Sequence, residues 1–153
     1  MTGPTILQVY VKGTPRPQPR PRLVNGHIVS TASKPAKAYR ATVLAACKSV
    51  RAQCGQMEGP VQLKLDLWFF SAKRVKEFGQ PHTLRPDGDN VLKLWQDCAQ
   101  KAGLIKDDSQ VSDAAVSKRW AWTAGAFLVL KPLDVVLVAT PEDEDDLGVC
   151  ETA

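Results

Sequence analysis

The sequence predicts an α/β (α+β) two-layer sandwich, in which two helices pack on one face of a mixed, mostly antiparallel sheet. Two stretches of helical periodicity, two alternating strand patterns and a run of strand-like segments after residue 109 carry this expectation. Each helix presents one apolar stripe, and a sheet face is the natural surface to cover both. With 153 residues, 44% hydrophobic and 24% charged, the chain has the size of one domain and enough apolar material for a core.

Thr5 to Val11 (TILQVYV) alternates polar and apolar side chains and reads as the first strand. In the following KGTPRPQPRPR, Pro15, Pro17, Pro19 and Pro21 interleave with Arg16, Arg20 and Arg22. Proline at this density forbids a helix and favours an extended loop that holds its arginines in solvent. Arginine forks suit phosphate oxygens, so Arg16, Arg20 and Arg22 are expected to contact a DNA backbone; a linker or a proline-rich peptide ligand is the alternative. Asn25-Gly26 between two short apolar runs signals a hairpin over 22–31. Lys34 to Cys54 is a helix, with Tyr39, Val43, Leu44, Ala46, Cys47 and Val50 at helical spacing. Val61 to Phe70 alternates cleanly as a strand. Ser71 to Thr83 reads as a basic, irregular and mobile loop, with Lys73, Arg74 and Lys76 as further DNA contacts.

A second helix follows, with Val91, Leu92, Leu94, Trp95, Cys98, Ala99 and Ala102 on one stripe and Gly103 at its stop. Asp89 stands where an N-cap belongs, and Asp97 reads as an ordinary surface acid. Ser109 to Trp120 is a strand carrying Lys118 and Arg119 near its end, both expected on DNA. A turn at 123–125 leads to a strand over 126–131 that continues in apolar residues to 139. Pro132 interrupts that run, which implies a bulged edge strand or two pieces. The domain is expected over 1–140, followed by an acidic, disordered tail over 141–153.

Charge and cysteine usage narrow the class of function. Residues 1–57 hold nine Lys or Arg and no acid, whereas 141–153 hold six acids and no base. Residues 1–140 therefore carry 20 basic against 10 acidic side chains, and a body of that charge favours a polyanion such as nucleic acid. Cys47, Cys54, Cys98 and Cys150 form no C-x-x-C and read as thiols of a reducing compartment. No stretch reaches the roughly 18 apolar residues of a membrane span, and no secretory signal pattern opens the chain.

The chemistry concentrates in RPDGDNVLKLWQDCAQKAGLIKDD, residues 85–108. Asp87 and Asp89 precede the helix, Asp107 and Asp108 follow it, and these four carboxylates are expected to meet through folded-back loops. Capping and turn chemistry explain any one acid alone. The set, with Lys93 one turn beyond Asp89, is what Mg²⁺-assisted phosphoryl chemistry requires: hard oxygen ligands beside a cation.

This stretch, followed by SQV and SKRW, resembles the RusA family of Holliday junction resolvases, divalent-metal endodeoxyribonucleases of bacteria and their phages. The upstream VKGTPRPQPRPR and KAYRATV are similar too, so the likeness spans roughly residues 8–120. It implies that Asp87, Asp89 and Asp108 are catalytic metal ligands for Mg²⁺, with Mn²⁺ able to substitute, and that Lys93 is the catalytic lysine. Asp107 matches a less essential neighbour. Gly88 departs from the Leu of many members without removing a ligand, and the acidic tail lies outside the family pattern. The resemblance further implies a homodimer that nicks a four-way DNA junction symmetrically in recombination and repair, in the cytoplasm of a bacterium or of a phage's host. Two other functions fit the residues: a non-catalytic branched-DNA-binding module, and a Mg²⁺-dependent nucleotide pyrophosphohydrolase that would leave the arginine loop unexplained.

Overall fold

The structure, a computed structural model, describes residues 6–30 and 32–133. The sheet is built where side chains alternate. Strand β1 (Leu7–Lys12) buries Leu7, Val9 and Val11, and β4 (Val61–Phe69) buries every second residue from Val61 to Phe69. Between them runs β6 (Gly125–Pro132), which contributes Ala126, Leu128 and Leu130 to the same face. The order is β1-β6-β4-β5, with β5 at Val111–Trp120. The β1–β6 and β6–β4 pairs are antiparallel, and β4–β5 is parallel. The two-layer, mostly antiparallel architecture is therefore as expected from the sequence.

One edge-strand expectation is overturned. β6 lies inside the sheet, and Pro132 is its last residue, opposite Val61 and past the Leu7–Leu130 pair that ends the β1 ladder. Placed there, its missing N–H leaves no gap on the β1 side. The apolar run to residue 139 and the acidic tail lie outside the described residues.

Asn25 and Gly26 both take positive φ, 49° and 78°, and turn β2 (Arg22–Val24) into β3 (His27–Val29), the expected hairpin. Helix α1 (Lys34–Cys54) opens on Ser33, whose hydroxyl accepts from the Ala36 N–H at 3.3 Å. Helix α2 (Gly88–Ala102) crosses from β4 back to the start of its parallel neighbour β5, so it runs antiparallel to both strands. It ends where Gly103, at φ 82°, lets its N–H close on Ala99 and Gln100. Val91, Leu94, Trp95, Cys98 and Ala99 of α2 are buried among the sheet residues and Tyr39, Val43 and Cys47 of α1. The Trp95 indole donates to the Tyr39 hydroxyl at 3.1 Å, and burial pushes the Tyr39 phenol up to about 12. Asp97 is no ordinary surface acid: it pairs with Arg40 of α1, and Lys101 stands 3.8 Å from it. Cys47 and Cys98 are free buried thiols, Cys54 is free and exposed, and among the described residues no helix is long and apolar enough to cross a membrane.

The segment 71–83 departs most from expectation. Instead of hanging loose, it forms a 3₁₀ turn at Ala72–Glu77 and then docks on the free edge of β5. Gly79 donates to the Trp120 carbonyl at 2.8 Å, Trp120 to Gln80 at 3.0 Å, and His82 to Lys118 at 2.9 Å. Its sequence lacks strand alternation because backbone groups make the edge contacts, and His82 is its one buried side chain. His82 stacks on Phe69 at 4.0 Å and leans on Trp120 at 4.4 Å, while its Nδ1 has no hydrogen-bond partner among the described residues. Burial first, then the charges of Lys118 and Arg74, hold His82 below the usual histidine value. On acidification the unfolded chain therefore takes up this proton first, and folding stability falls as pH drops through ~6.5. A His82→Phe variant should lose less Tm between about pH 7 and pH 5 than the parent. Equal losses in the two melting series would remove His82 as the titrating group.

Candidate active site

The first turn of α2 gathers the chemistry. Asp87 occupies the N-cap position but makes no side-chain capping bond, and Asp89 lies in the first turn rather than at the cap. Both carboxylates are exposed, at the helix end whose unpaired N–H groups favour negative charge. Lys93, also exposed, follows one turn after Asp89. Gly88 permits this placement, because a Cβ there would stand only 3.2 Å from the Val116 methyl of β5. The turn entering α2 is clamped from the other side by Lys118, whose ammonium donates to the carbonyls of Leu84 at 2.7 Å and Pro86 at 2.9 Å.

The proline-rich segment folds over this pole. The Gln18 N–H donates to the Asn90 carbonyl at 3.2 Å, and the Arg20 guanidinium donates to the Asn90 side chain at 2.8 Å. Between the segment and α2 lies a cavity of about 370 Å³ whose wall includes Thr14, Arg16, Arg85, Asp87 and Asn90. Asp87, Asp89, Lys93 and the arginines Arg16, Arg20 and Arg85 thus stand about one helix start, a set that can grip a phosphate and a divalent cation together.

Arg85 and Asn90 were not among the residues singled out by sequence, although both stand within three positions of Asp87. Of the expected DNA contacts, Arg16 lines the cavity and Arg20 is bonded at its rim. Arg22, Lys73, Lys76 and Arg119 are exposed. Arg74 is committed elsewhere: it lies 5.1 Å over the Trp120 ring and donates to both Glu77 oxygens at 3.0 Å. Lys118 serves the clamp just described.

Asp107 and Asp108 stand at the far pole. Asp107 caps a 3₁₀ turn at Asp108–Gln110, accepting from the Ser109 N–H at 2.8 Å, and that bond holds its carboxyl below the usual range. Gln110 closes the capping box and ties the turn to the Met57 and Gly59 carbonyls. The Asp108 N–H donates to the side chain of Gln100, at 3.2 Å. Gln100 lies eleven residues beyond Asp89 on α2, roughly 16 Å along the axis. The structure therefore places Asp87 and Asp89 at one end of α2 and Asp108 by the other, and among the described residues no three His, Cys, Asp or Glu side chains are grouped to hold a metal ion. The expected meeting of all four acids does not occur within one chain, because α2 stays straight between them. A pair of hard, uncommitted carboxylates still fits Mg²⁺, which is commonly held by one or two carboxylates with substrate phosphates and water completing its shell.

With this geometry in place, comparison with known proteins is specific. A family model described as endodeoxyribonuclease RusA matches residues 12–130. A curated relative, the crossover junction endodeoxyribonuclease rusA of Lactococcus phage r1t, is 46% identical over 55 residues, which cover 35% of this chain and 42% of that protein. The matched part is thus less than half of the relative's length.

Removing the Lys118 clamp should loosen the turn that presents Asp87. In Lys118→Ala, amide hydrogen exchange at Val91, whose N–H donates to the Asp87 carbonyl at 3.3 Å, should quicken by about tenfold or more, the scale of lost charge-assisted hydrogen bonds. Unchanged exchange there would show that the clamp does not hold the turn.

Proposed function

The chain belongs to the endodeoxyribonuclease RusA family, and from that premise we propose that it hydrolyses phosphodiester bonds in branched DNA, resolving four-way junctions by paired nicks. The observation that carries this reading is the cavity at the start of α2, which Asp87, Arg16 and Arg85 line together. Acids alone would repel a phosphate, and arginines alone would only bind it. Together they match a phosphate whose charge is shared between guanidinium forks and a bound cation.

Asp87 and Asp89 are the residues that would hold Mg²⁺, or Mn²⁺ in its place. When bound, the ion supplies neutralisation of the attacked phosphate and a more acidic water. Arg16 and Arg85 orient the strand so that the scissile bond faces the carboxylates. Lys93 places a positive point charge on the exposed face beside Asp89, where the developing oxyanion charge is met. In the reaction a water oxygen forms the new P–O bond, the bridging P–O bond breaks, and the leaving oxygen gains a proton.

Asp108 enters through a homodimer. One chain keeps it an α2 length away from the Asp87–Asp89 pair, so a two-fold dimer that sets the far pole of one copy against the near pole of the other completes two equal sites. Such symmetry also matches a junction cut on two opposed strands.

Nicking of a synthetic four-way junction with Mg²⁺ tests the assignment. Asp89→Asn should slow cutting by about a hundredfold or more while leaving junction binding in place, since only transition-state stabilisation is removed. A parent protein that shifts the junction on a gel and never cuts it would establish the binding-module reading instead. The shared site has its own readout. Asp89→Asn and Asp108→Asn, each inactive alone, should regain about a quarter of parental nicking when mixed and re-equilibrated, because half of the dimers are mixed and each restores one of two sites. A mixture as dead as its components would place Asp108 outside a shared site.

A further inference from the structure

We propose that the cleft between Tyr10, Phe70 and Trp122, next to the Asp87 cavity, stacks one unpaired DNA base and so selects branched over linear DNA. This rests on the nuclease reading above and adds a second subsite to it. Single exposed aromatics are ordinary, but here three converge: Trp122 is 70% exposed, Phe70 49% and Tyr10 47%, and all line one cleft of about 420 Å³. That size is in the range of specific ligand sites, ~300–1,000 Å³.

The rings are held in place before any ligand arrives. Phe78, from the docked 71–83 segment, meets Trp122 edge-on at 4.5 Å and Phe70 at 6.1 Å. Tyr10 leans on Trp68 at 6.1 Å, over Gly125, where a Cβ would come within 3.1 Å of the Tyr10 hydroxyl. The Gly13 N–H donates to the Ala124 carbonyl at 3.1 Å and joins the two loops that form the cleft walls. An aromatic surface ordered in this way stacks a ring at little cost in side-chain entropy.

Position and charge name the occupant. Thr14 lines this cleft and also the Asp87 cavity, so the two adjoin. Lys12 lies in the cleft, and Arg16 and Arg85 lie in the cavity beyond Thr14. Cations that follow a backbone, beside aromatic faces that take its bases, are the pattern of single-strand recognition. In an intact duplex every base is already stacked and cannot enter. At a branch point a flanking base can leave its stack, which ties occupation of the cleft to the presence of a junction.

The test uses the full chain and a labelled four-way junction, with linear duplex of the same composition beside it and EDTA to prevent cutting. Trp122→Ala should weaken junction binding by about tenfold, within the range for one lost base stack, and leave duplex binding unchanged. Trp122→Phe should restore most of the loss. The slope of log affinity against log salt should stay constant in Trp122→Ala and fall by about one in Lys12→Ala, because only the lysine releases a counterion. Equal losses on junction and duplex, or a Trp122→Ala, Phe70→Ala double variant that binds junctions like the parent, would overturn the cleft assignment alone. A parent that neither binds nor nicks DNA would overturn the nuclease reading and the cleft with it.

Discussion

The burial of α2 between the sheet and α1 is the constraint on which the rest of the molecule depends. Its five buried residues close the core from Leu63 and Leu65 across to Val43, with Trp95 fully enclosed. A buried tryptophan whose loss costs ~3–5 kcal/mol, hydrogen-bonded to Tyr39, leaves the helix one rotational setting. Arg40 and Asp97 fix the same setting on the solvent side. Once that face is committed, Asp89 and Lys93 project from the opposite one, and the helix length decides how far Asp108 stands from them.

A functional pole is then assembled by small fastenings rather than by core packing. Carboxylates at an exposed helix start are stable enough to leave uncapped, because the local field favours their charge. Asp87 accordingly sits at the cap position without serving as a cap. Lys118 below and the Asn90 bonds above stiffen the chain on both sides of the acids. The proline-rich segment has little entropy to lose when it folds over this pole, where Arg16 lines the cavity and Arg20 bonds at its rim.

The 71–83 segment links the two halves of the candidate DNA surface. Through His82 it is anchored to Phe69 and Trp120, and through Phe78 it braces Phe70 and Trp122. The same chain then runs into Arg85 and Asp87. A neutral, dry imidazole suits this anchoring role, since a charged ring would bury an unpaired N–H beside Lys118 and Arg74.

Local periodicity and turn chemistry were sufficient to read the strands over 5–11 and 61–70, observed at Leu7–Lys12 and Val61–Phe69, both helices, the Asn25-Gly26 hairpin and the stop at Gly103. Each is set by neighbours within a few positions, so one sequence segment contains its own instructions. The same holds for Asp87, Asp89 and Lys93, which share one helical turn. Long-range contacts decided the remainder. Nothing local to Pro132 tells that β6 is interior, because its flanking strands come from residues 7–12 and 61–69. His82 and Phe78 look like loop residues until β5 arrives beside them, and Asp97 looks like a surface acid until Arg40 reaches it from α1. Above all, the sequence placed Asp108 close after the helix, whereas the tertiary structure sets it an entire helix length from its supposed co-ligands. Proximity along a chain is counted in residues, but a packed helix is rigid and holds its two ends apart.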